Sequence, residues 1–136
     1  MTIKRVDHIA VVVENLDAAL ATYRDALEMT VSRIVTIPEQ DVRIGFLHSG
    51  DTEIELLEPI NPESGIARHL AKRGEGLHHI CLEVDDIEQT LADLKSRGVQ
   101  LIQDTPKRGA SGKVAFIHPK SASGVLIELL EREPAN

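Results

Sequence analysis

The sequence has little cysteine, few aromatic residues and no long apolar run near its start, and each shortage excludes a class of protein. One cysteine in 136 residues rules out an internal disulfide and a zinc site built from several thiolates. Aromatic residues make up 2% of the chain and its net charge is -7, so it lacks stacking platforms for bases and would repel a polyanion. The longest apolar run near the N-terminus, Ile9 to Val13, is too short for a signal-peptide core or a membrane span. We therefore expect a folded cytoplasmic protein that binds neither nucleic acid nor membrane.

What the chain does contain is an internal repeat. Residues 7–16 match residues 78–87, with His8 aligned to His79 and apolar residues following at every second position. The pentapeptide Ile-Glu-Leu-Leu-Glu at 54–58 recurs letter for letter at 127–131, and Phe-Leu-His at 46–48 is echoed by Phe-Ile-His at 116–118. Three matching blocks in the same order indicate a duplicated structural unit.

Each copy reads as one strand, one helix and three further strands. In the first module, about residues 3–60, the pattern predicts a strand at 5–13, a helix from an Asn15 cap to Leu27, and strands near 30–37, 42–48 and 52–58. A linker helix over 61–75 would begin with Asn61 as its N-cap. In the second module, about 76–132, a helix follows Asp86, and strands are predicted near 99–103, 113–118 and 124–131. This alternation predicts a single α+β domain with a curved mixed sheet.

Strand alternation places four ligand-type residues on one face of that sheet. Side chains alternate across a strand, and the repeat register gives His79, not His78, the orientation of His8. The four residues that point the same way are His8, Glu55, His79 and Glu128. Two imidazoles and two carboxylates suit a borderline divalent ion such as cobalt, nickel, manganese, iron or zinc. A six-coordinate ion would keep two positions for water or substrate, whereas the alternative is a pair of core histidines and two solvated glutamates.

A second candidate feature is a basic segment in an otherwise acidic chain. Residues 105–127 contain no acid but carry four basic residues, Lys107, Arg108, Lys113 and Lys120. The stretch 106–113 lacks the glycine and hydroxyl residues of a phosphate loop at the required positions. It is either a solvated loop or a docking site for the phosphates of a substrate.

Several motifs together resemble the vicinal oxygen chelate superfamily and, within it, the methylmalonyl-CoA epimerases. The resemblance covers nearly the whole chain. Its most specific segments are Asp-His-Ile-Ala at 7–10, Glu-Leu-Leu-Glu-Pro at 55–59, Gly-Leu-His-His-Ile at 76–80, Val-Asp-Asp-Ile at 84–87, His-Pro-Lys-Ser at 118–121 and Gly-Val-Leu-Ile-Glu-Leu at 124–129. The metal ligands of that family fall on the four residues already selected by alternation.

The resemblance implies a fold of paired modules around a metal cup, a homodimer and a coenzyme A thioester substrate. It implies one divalent ion per subunit, with Co²⁺ favoured and Mn²⁺, Ni²⁺, Zn²⁺ or Fe²⁺ possible. The implied reaction interconverts (R)- and (S)-methylmalonyl-CoA by proton transfer next to the thioester, with Glu128 as both ligand and acid-base residue. Some members carry a second glutamate where this chain has Ile44, which leaves Glu39, a metal-bound water or a single mobile base as the second proton carrier.

Three other activities belong to the same superfamily. A glyoxalase I type lyase uses the same ligand set, but its glutathione substrate lacks the nucleotide phosphates that a basic segment would bind. A ring-cleaving dioxygenase uses two histidines and one carboxylate on iron, and a fourth protein ligand would occupy a position needed for oxygen. Antibiotic-binding proteins lack the metal set altogether. The epimerase therefore agrees best with the sequence.

Overall fold

The computed structural model describes residues 1–134, and the chain divides into two compact units. One unit comprises His8–His78, and the other comprises Met1–Asp7 together with the chain from His79 onward. Among residues 1–134, no helix has both the length and the apolar character that a membrane crossing requires.

The unit at 8–78 is a four-stranded mixed sheet with two helical segments. Its strands are β1 (Ile3–Val12, which begins in the other unit), β2 (Val31–Ile37), β3 (Val42–Ser49) and β4 (Thr52–Pro59). They lie in the order β2-β3-β4-β1, with β1 and β4 parallel and the other pairs antiparallel. The helices are α1 (Leu16–Leu20), which continues as a π-helical segment over Ala21–Ala26, and α2 (Gly65–Arg73).

The other unit has the same arrangement. Its elements are β5 (Gly76–Val84, which begins in the first unit), α3 (Ile87–Ser96), β6 (Lys107–Arg108), β7 (Gly112–Ile117) and β8 (Ile127–Arg132). The strands lie in the order β5-β8-β7-β6, and β5 pairs with β8 in parallel as β1 pairs with β4. The predicted repeat and the α+β class are therefore confirmed.

Alternation along its strands gives the first sheet an apolar cluster on each face. Toward α1 lies a buried cluster of Val13, Leu16, Leu20, Leu47 and Leu56. The opposite face carries a second cluster of Ala10, Val42, Ile44, Phe46 and Leu57. In the other unit, the face toward α3 carries Val84, Ile87, Leu91, Ala115, Ile117 and Leu129. The even-numbered residues of β1 and of β8 thus point away from the helices.

The second glutamate of the repeated pentapeptide anchors a helix in each unit. The Leu16 N–H donates to Glu58 Oε2 at 2.7 Å, and the Ile87 N–H donates to Glu131 Oε1 at 2.9 Å. Each carboxylate meets an N–H in the first turn of a helix, where backbone donors lack partners and negative charge is favoured. The pentapeptide therefore fixes the helix against the sheet in both units.

Helix starts agree with the sequence at two of three places. Asn15 and Asp86 cap α1 and α3 as predicted. Asn61 does not cap α2, because residues 61–64 form a turn in which Ser64 N–H donates to the Asn61 carbonyl. Ser64 is the N-cap instead, and its hydroxyl accepts from the Ala67 N–H at 3.1 Å.

Two other boundaries differ from the prediction. The prediction of a strand near 99–103 is wrong, because Leu101 forms only an isolated bridge to Ile117. Val99 and Leu101 instead pack against the apolar cluster beside α3. Their apolar character reflects that packing and not a continuous ladder. The helix from Asn15 also widens into π geometry after Leu20, and Leu27, predicted as part of its apolar stripe, is 60% exposed.

Candidate metal centre

In the unit at 8–78, a histidine and a glutamate predicted as ligands lie together. His8 Nδ1 is 3.3 Å from Glu55 Oε2, and their side chains are 10% and 13% exposed. The parallel register of β1 and β4 sets Ala10 opposite Glu55, so His8 lies diagonally from Glu55 on the same face. The contact follows from the strand pairing and not from a flexible loop.

The other unit contains an equivalent pair. His79 Nε2 is 3.1 Å from Glu128 Oε1, with side chains 11% and 14% exposed. Cys81 lies opposite Glu128 in the β5–β8 register, in the place that Ala10 takes in the first unit. The Phe116 ring meets the His79 ring edge-on, with centroids 6.2 Å apart, which restricts the imidazole's rotation.

These two pairs have the donor chemistry of a divalent metal site. Each places an imidazole nitrogen and a carboxylate oxygen close together on a mostly buried surface. Buried carboxylates are costly unless they are paired or coordinate a metal, and nitrogen–oxygen donor sets suit the borderline divalent ions. The residues present in each unit therefore fit half of a metal site.

An ion network holds the strand residue that precedes His8. Asp7 is 2% exposed and accepts from Arg5 at 2.9 Å and from Arg132 at 2.6 Å. Arg5 also donates to Glu83 at 2.8 Å. Buried charges of this kind require partners. The network therefore fixes residues 1–7, which include the start of β1, against β5 and β8.

Neither Ile44, at the position where some family members carry a second glutamate, nor the candidate proton carrier Glu39 is placed to act directly. Ile44 is 5% exposed and packs in the apolar cluster with Phe46 and Leu57, so it offers no proton acceptor. Glu39 is exposed in the turn before Val42, whereas Glu55 lies opposite Phe46. Val42 and Phe46 are four residue steps of about 3.3 Å apart, so Glu39, which precedes Val42, is roughly 13 Å or more from Glu55 along the strands.

The basic segment is partly neutralised by acids from elsewhere in the sequence. Lys107, Arg108 and Lys113 line one open cleft of about 620 Å³ together with Glu88 and Asp104. Arg108 forms an ion pair with Glu133, and Lys113 Nζ is 3.7 Å from Glu88 Oε1. We call this the basic cleft.

Lys120 does not line the basic cleft in the described chain. It lies in the turn Pro119–Ser121, where its N–H donates to His118 Nδ1 at 3.0 Å. The sequence count of acids missed the neutralisation because Glu88 and Glu133 lie outside residues 105–127.

His69, on α2, is partly buried. Its ring meets that of His78 with centroids 4.7 Å apart. Burial, and to a lesser extent the charge of Arg73, lowers the pKa of His69 below its ordinary value. The imidazole is therefore mainly neutral at pH 7, and His78 points away from the orientation of His79, as the register predicted.

Sequence alternation missed a cation on the face of His8 and Glu55. Val31 packs in the cluster toward α1, so strict alternation would send Arg33 the same way. The β2–β3 pairing has a register shift between Val31 and Arg33, and this bulge turns Arg33 to the other face. Its guanidinium carbon lies 3.9 Å from the Phe46 ring centroid, and no simple sequence pattern marks it.

Comparisons with known proteins agree with this geometry. Residues 7–116 match the family model of the glyoxalase/bleomycin resistance protein/dioxygenase superfamily. A mitochondrial methylmalonyl-CoA epimerase of Mus musculus is 43% identical over 127 residues, which cover 92% of this chain and 71% of the relative. An ethylmalonyl-CoA/methylmalonyl-CoA epimerase of Cereibacter sphaeroides is 42% identical over 93% of this chain and 97% of its own length.

A solved structure is similar over the same extent. A variant of the Streptomyces coelicolor methylmalonyl-CoA epimerase, in complex with 2-nitronate-propionyl-CoA, superimposes with a TM-score of 0.85 at 35% identity. The match covers 98% of this chain and all of that one. In contrast, a probable lactoylglutathione lyase of Vibrio cholerae is 26% identical.

Proposed function

The chain belongs to the glyoxalase/bleomycin resistance protein/dioxygenase superfamily and, within it, to the methylmalonyl-CoA epimerases, and we propose the following account of how it works. It interconverts (R)- and (S)-methylmalonyl-CoA by removing a proton from the carbon between the thioester and the carboxylate and returning one to the opposite side. The glyoxalase-type alternative is less favoured because relatives of that class are much less similar than the epimerases.

The observation that carries the proposal is the pair of equivalent histidine–glutamate contacts. We infer that His8, Glu55, His79 and Glu128 together hold one divalent ion, with Co²⁺ expected and Mn²⁺, Ni²⁺, Zn²⁺ or Fe²⁺ as alternatives. Two buried contacts of 3.3 and 3.1 Å at repeat-related positions support this assignment. When bound, such an ion supplies the positive charge that stabilises an enolate.

Glu128 is the proposed acid-base residue. Its carboxylate is mostly buried and lies next to His79, so the imidazole holds one of its oxygens in place. A positioned carboxylate of this kind contributes to catalysis by taking and returning a proton. Ile44 carries no proton and Glu39 is distant, so we assign the second transfer to a water in the site or to Glu128 itself.

The substrate's coenzyme A moiety needs a site for its phosphates, and we propose the basic cleft for it. Among residues 1–134, no carboxylate forms an ion pair with Lys107, while the partners of Arg108 and Lys113 are exposed carboxylates that an incoming phosphate would replace. Lys120 adds positive charge to the same acid-free segment. A homodimer is proposed from the family resemblance.

Isotope exchange tests the function directly. The cobalt-loaded protein is incubated with one stereoisomer of methylmalonyl-CoA in heavy water, and configuration and mass are followed. We expect inversion with gain of one deuterium, and loss of both after chelation of the metal. A chelator-treated sample and a protein-free sample measure the unaided exchange of the substrate.

The same protein would then be tested on the methylglyoxal–glutathione adduct. Exchange of methylmalonyl-CoA no faster than in the protein-free sample would refute the epimerase. Conversion of the glutathione adduct by such a preparation would favour the lyase instead.

A further inference from the structure

Arg33 is an exposed cation that no described carboxylate neutralises. It lies on β2 over the Phe46 ring, and within residues 1–134 it takes part in none of the ion pairs that engage Arg5, Arg24, Arg43, Arg108 and Arg132. Arg68, Arg73 and Arg97 likewise take part in none of those ion pairs, so what distinguishes Arg33 is its position over an aromatic ring. A cation over an aromatic face is held in place while its donors stay available.

The backbone places this cation beside the metal-ligand face. Arg33 lies opposite Phe46 in the β2–β3 register, and Phe46 lies opposite Glu55 in the β3–β4 register. Two strand spacings amount to about 10 Å, and the Arg33 side chain extends over the ring that lies between. Bulges often re-aim a side chain next to an active site, and the bulge after Val31 does so here.

We propose that Arg33 binds the free carboxylate of the substrate and makes the enzyme selective for acyl-CoA thioesters that carry one. The inference rests on the proposed function, because it places the reacting carbon near Glu55. Arg33 is a binding residue in this account and takes no part in proton transfer. A guanidinium can meet a carboxylate through two parallel hydrogen bonds.

The position favours the carboxylate over the phosphates of coenzyme A. The carboxylate is attached to the reacting carbon itself, whereas the phosphates are separated from the thioester by the whole pantetheine arm. A cation about two strands from a metal ligand can therefore meet the first group but not the second. Phosphate binding is also already proposed for the basic cleft, which does not include Arg33.

Binding, rather than turnover, tests the proposal. Affinities of the cobalt-loaded protein for racemic methylmalonyl-CoA and for propionyl-CoA, which lacks only the carboxylate, are measured by calorimetry. In Arg33→Met, affinity for methylmalonyl-CoA should fall about 10- to 100-fold, the worth of a charge-assisted hydrogen bond. Affinity for propionyl-CoA should stay within about twofold, and Arg33→Lys should lie between the wild type and Arg33→Met.

Arg24→Met is the matched control. Arg24 is also exposed, pairs only locally with Asp25 and lies on the π-helical segment at the other face of the sheet. It removes the same charge and should change neither affinity. An equal loss of affinity for both thioesters in Arg33→Met would show that Arg33 binds the coenzyme A moiety. Unchanged affinity for both would show that Arg33 lies outside the substrate site. Either result would overturn the proposal. A wild-type protein that binds neither thioester would instead refute the proposed function.

Discussion

Replacing Glu128 by glutamine should separate metal binding from proton transfer, because the repeat provides a matched control in Glu55. Both carboxylates touch an imidazole, at 3.1 and 3.3 Å, and their side chains are 14% and 13% exposed. Glu128→Gln and Glu55→Gln therefore remove the same charge from nearly the same environment. We expect both variants to lose a similar amount of metal affinity.

Their rates should differ once the metal is saturating. A positioned general base contributes about 10²- to 10⁴-fold, which corresponds to about 3–5 kcal/mol in the activation free energy. If Glu128 moves the proton, Glu128→Gln should be slower than Glu55→Gln by that factor. Deuterium incorporation into methylmalonyl-CoA is the assay, with Co²⁺ titrated to saturation for each variant by its absorption spectrum.

Equal rates in the two variants at saturating Co²⁺ would refute the role given to Glu128 and leave it as a ligand only. A slower Glu55→Gln would place the proton carrier in the other copy of the repeat. Thermal unfolding of both variants without metal verifies that neither difference comes from a damaged fold.

Three further changes test the fold and the metal site. Glu131→Ala leaves the Ile87 N–H without its carboxylate and should lower the free energy of unfolding by about 1.5–3 kcal/mol; a urea midpoint equal to that of wild type would contradict the anchoring role. Co²⁺ at about 100 times its dissociation constant should raise the free energy of unfolding by about 2.7 kcal/mol, and an unchanged melting temperature would contradict a folded-state site. The Thr2 N–H hydrogen bond lowers the pKa of Asp85, so its contribution is present above the ordinary carboxyl pKa and disappears as the pH falls through the lowered one. Asp85→Asn should therefore differ from wild type in urea midpoint at pH 6 but not at pH 2.

The sequence predicted that each histidine and its glutamate share a face, because that placement depends only on strand alternation. His8 and Glu55 lie on strands in direct pairing, and so do His79 and Glu128. A period of two and a repeated pentapeptide were enough to orient all four. The sequence also contains enough to predict that Glu58 and Glu131 face the helices. Each lies three residues after a glutamate of the opposite face, Glu55 or Glu128, and an odd number of steps along a strand changes the face.

Other features depend on contacts that no local pattern encodes. The bulge before Arg33 inserts one unpaired residue and inverts the alternation after it. The acids that neutralise the basic cleft come from α3 and from the residue after β8, so a count within 105–127 missed them. Val99 and Leu101 read as a strand because covering a core and joining a sheet require the same apolar residues.

The bulge in β2 also has an evolutionary consequence. Deleting Ser32 would pair Val31 and Arg33 with the consecutive β3 residues Leu47 and Phe46 and would leave Arg33 on the Phe46 face. A single-codon deletion would thus remove the bulge without moving the cation to the other surface of the sheet. A lineage could lose or gain length at this one position and keep that surface charge, whereas a comparison that considers only aligned substitutions would assign Arg33 to the wrong face.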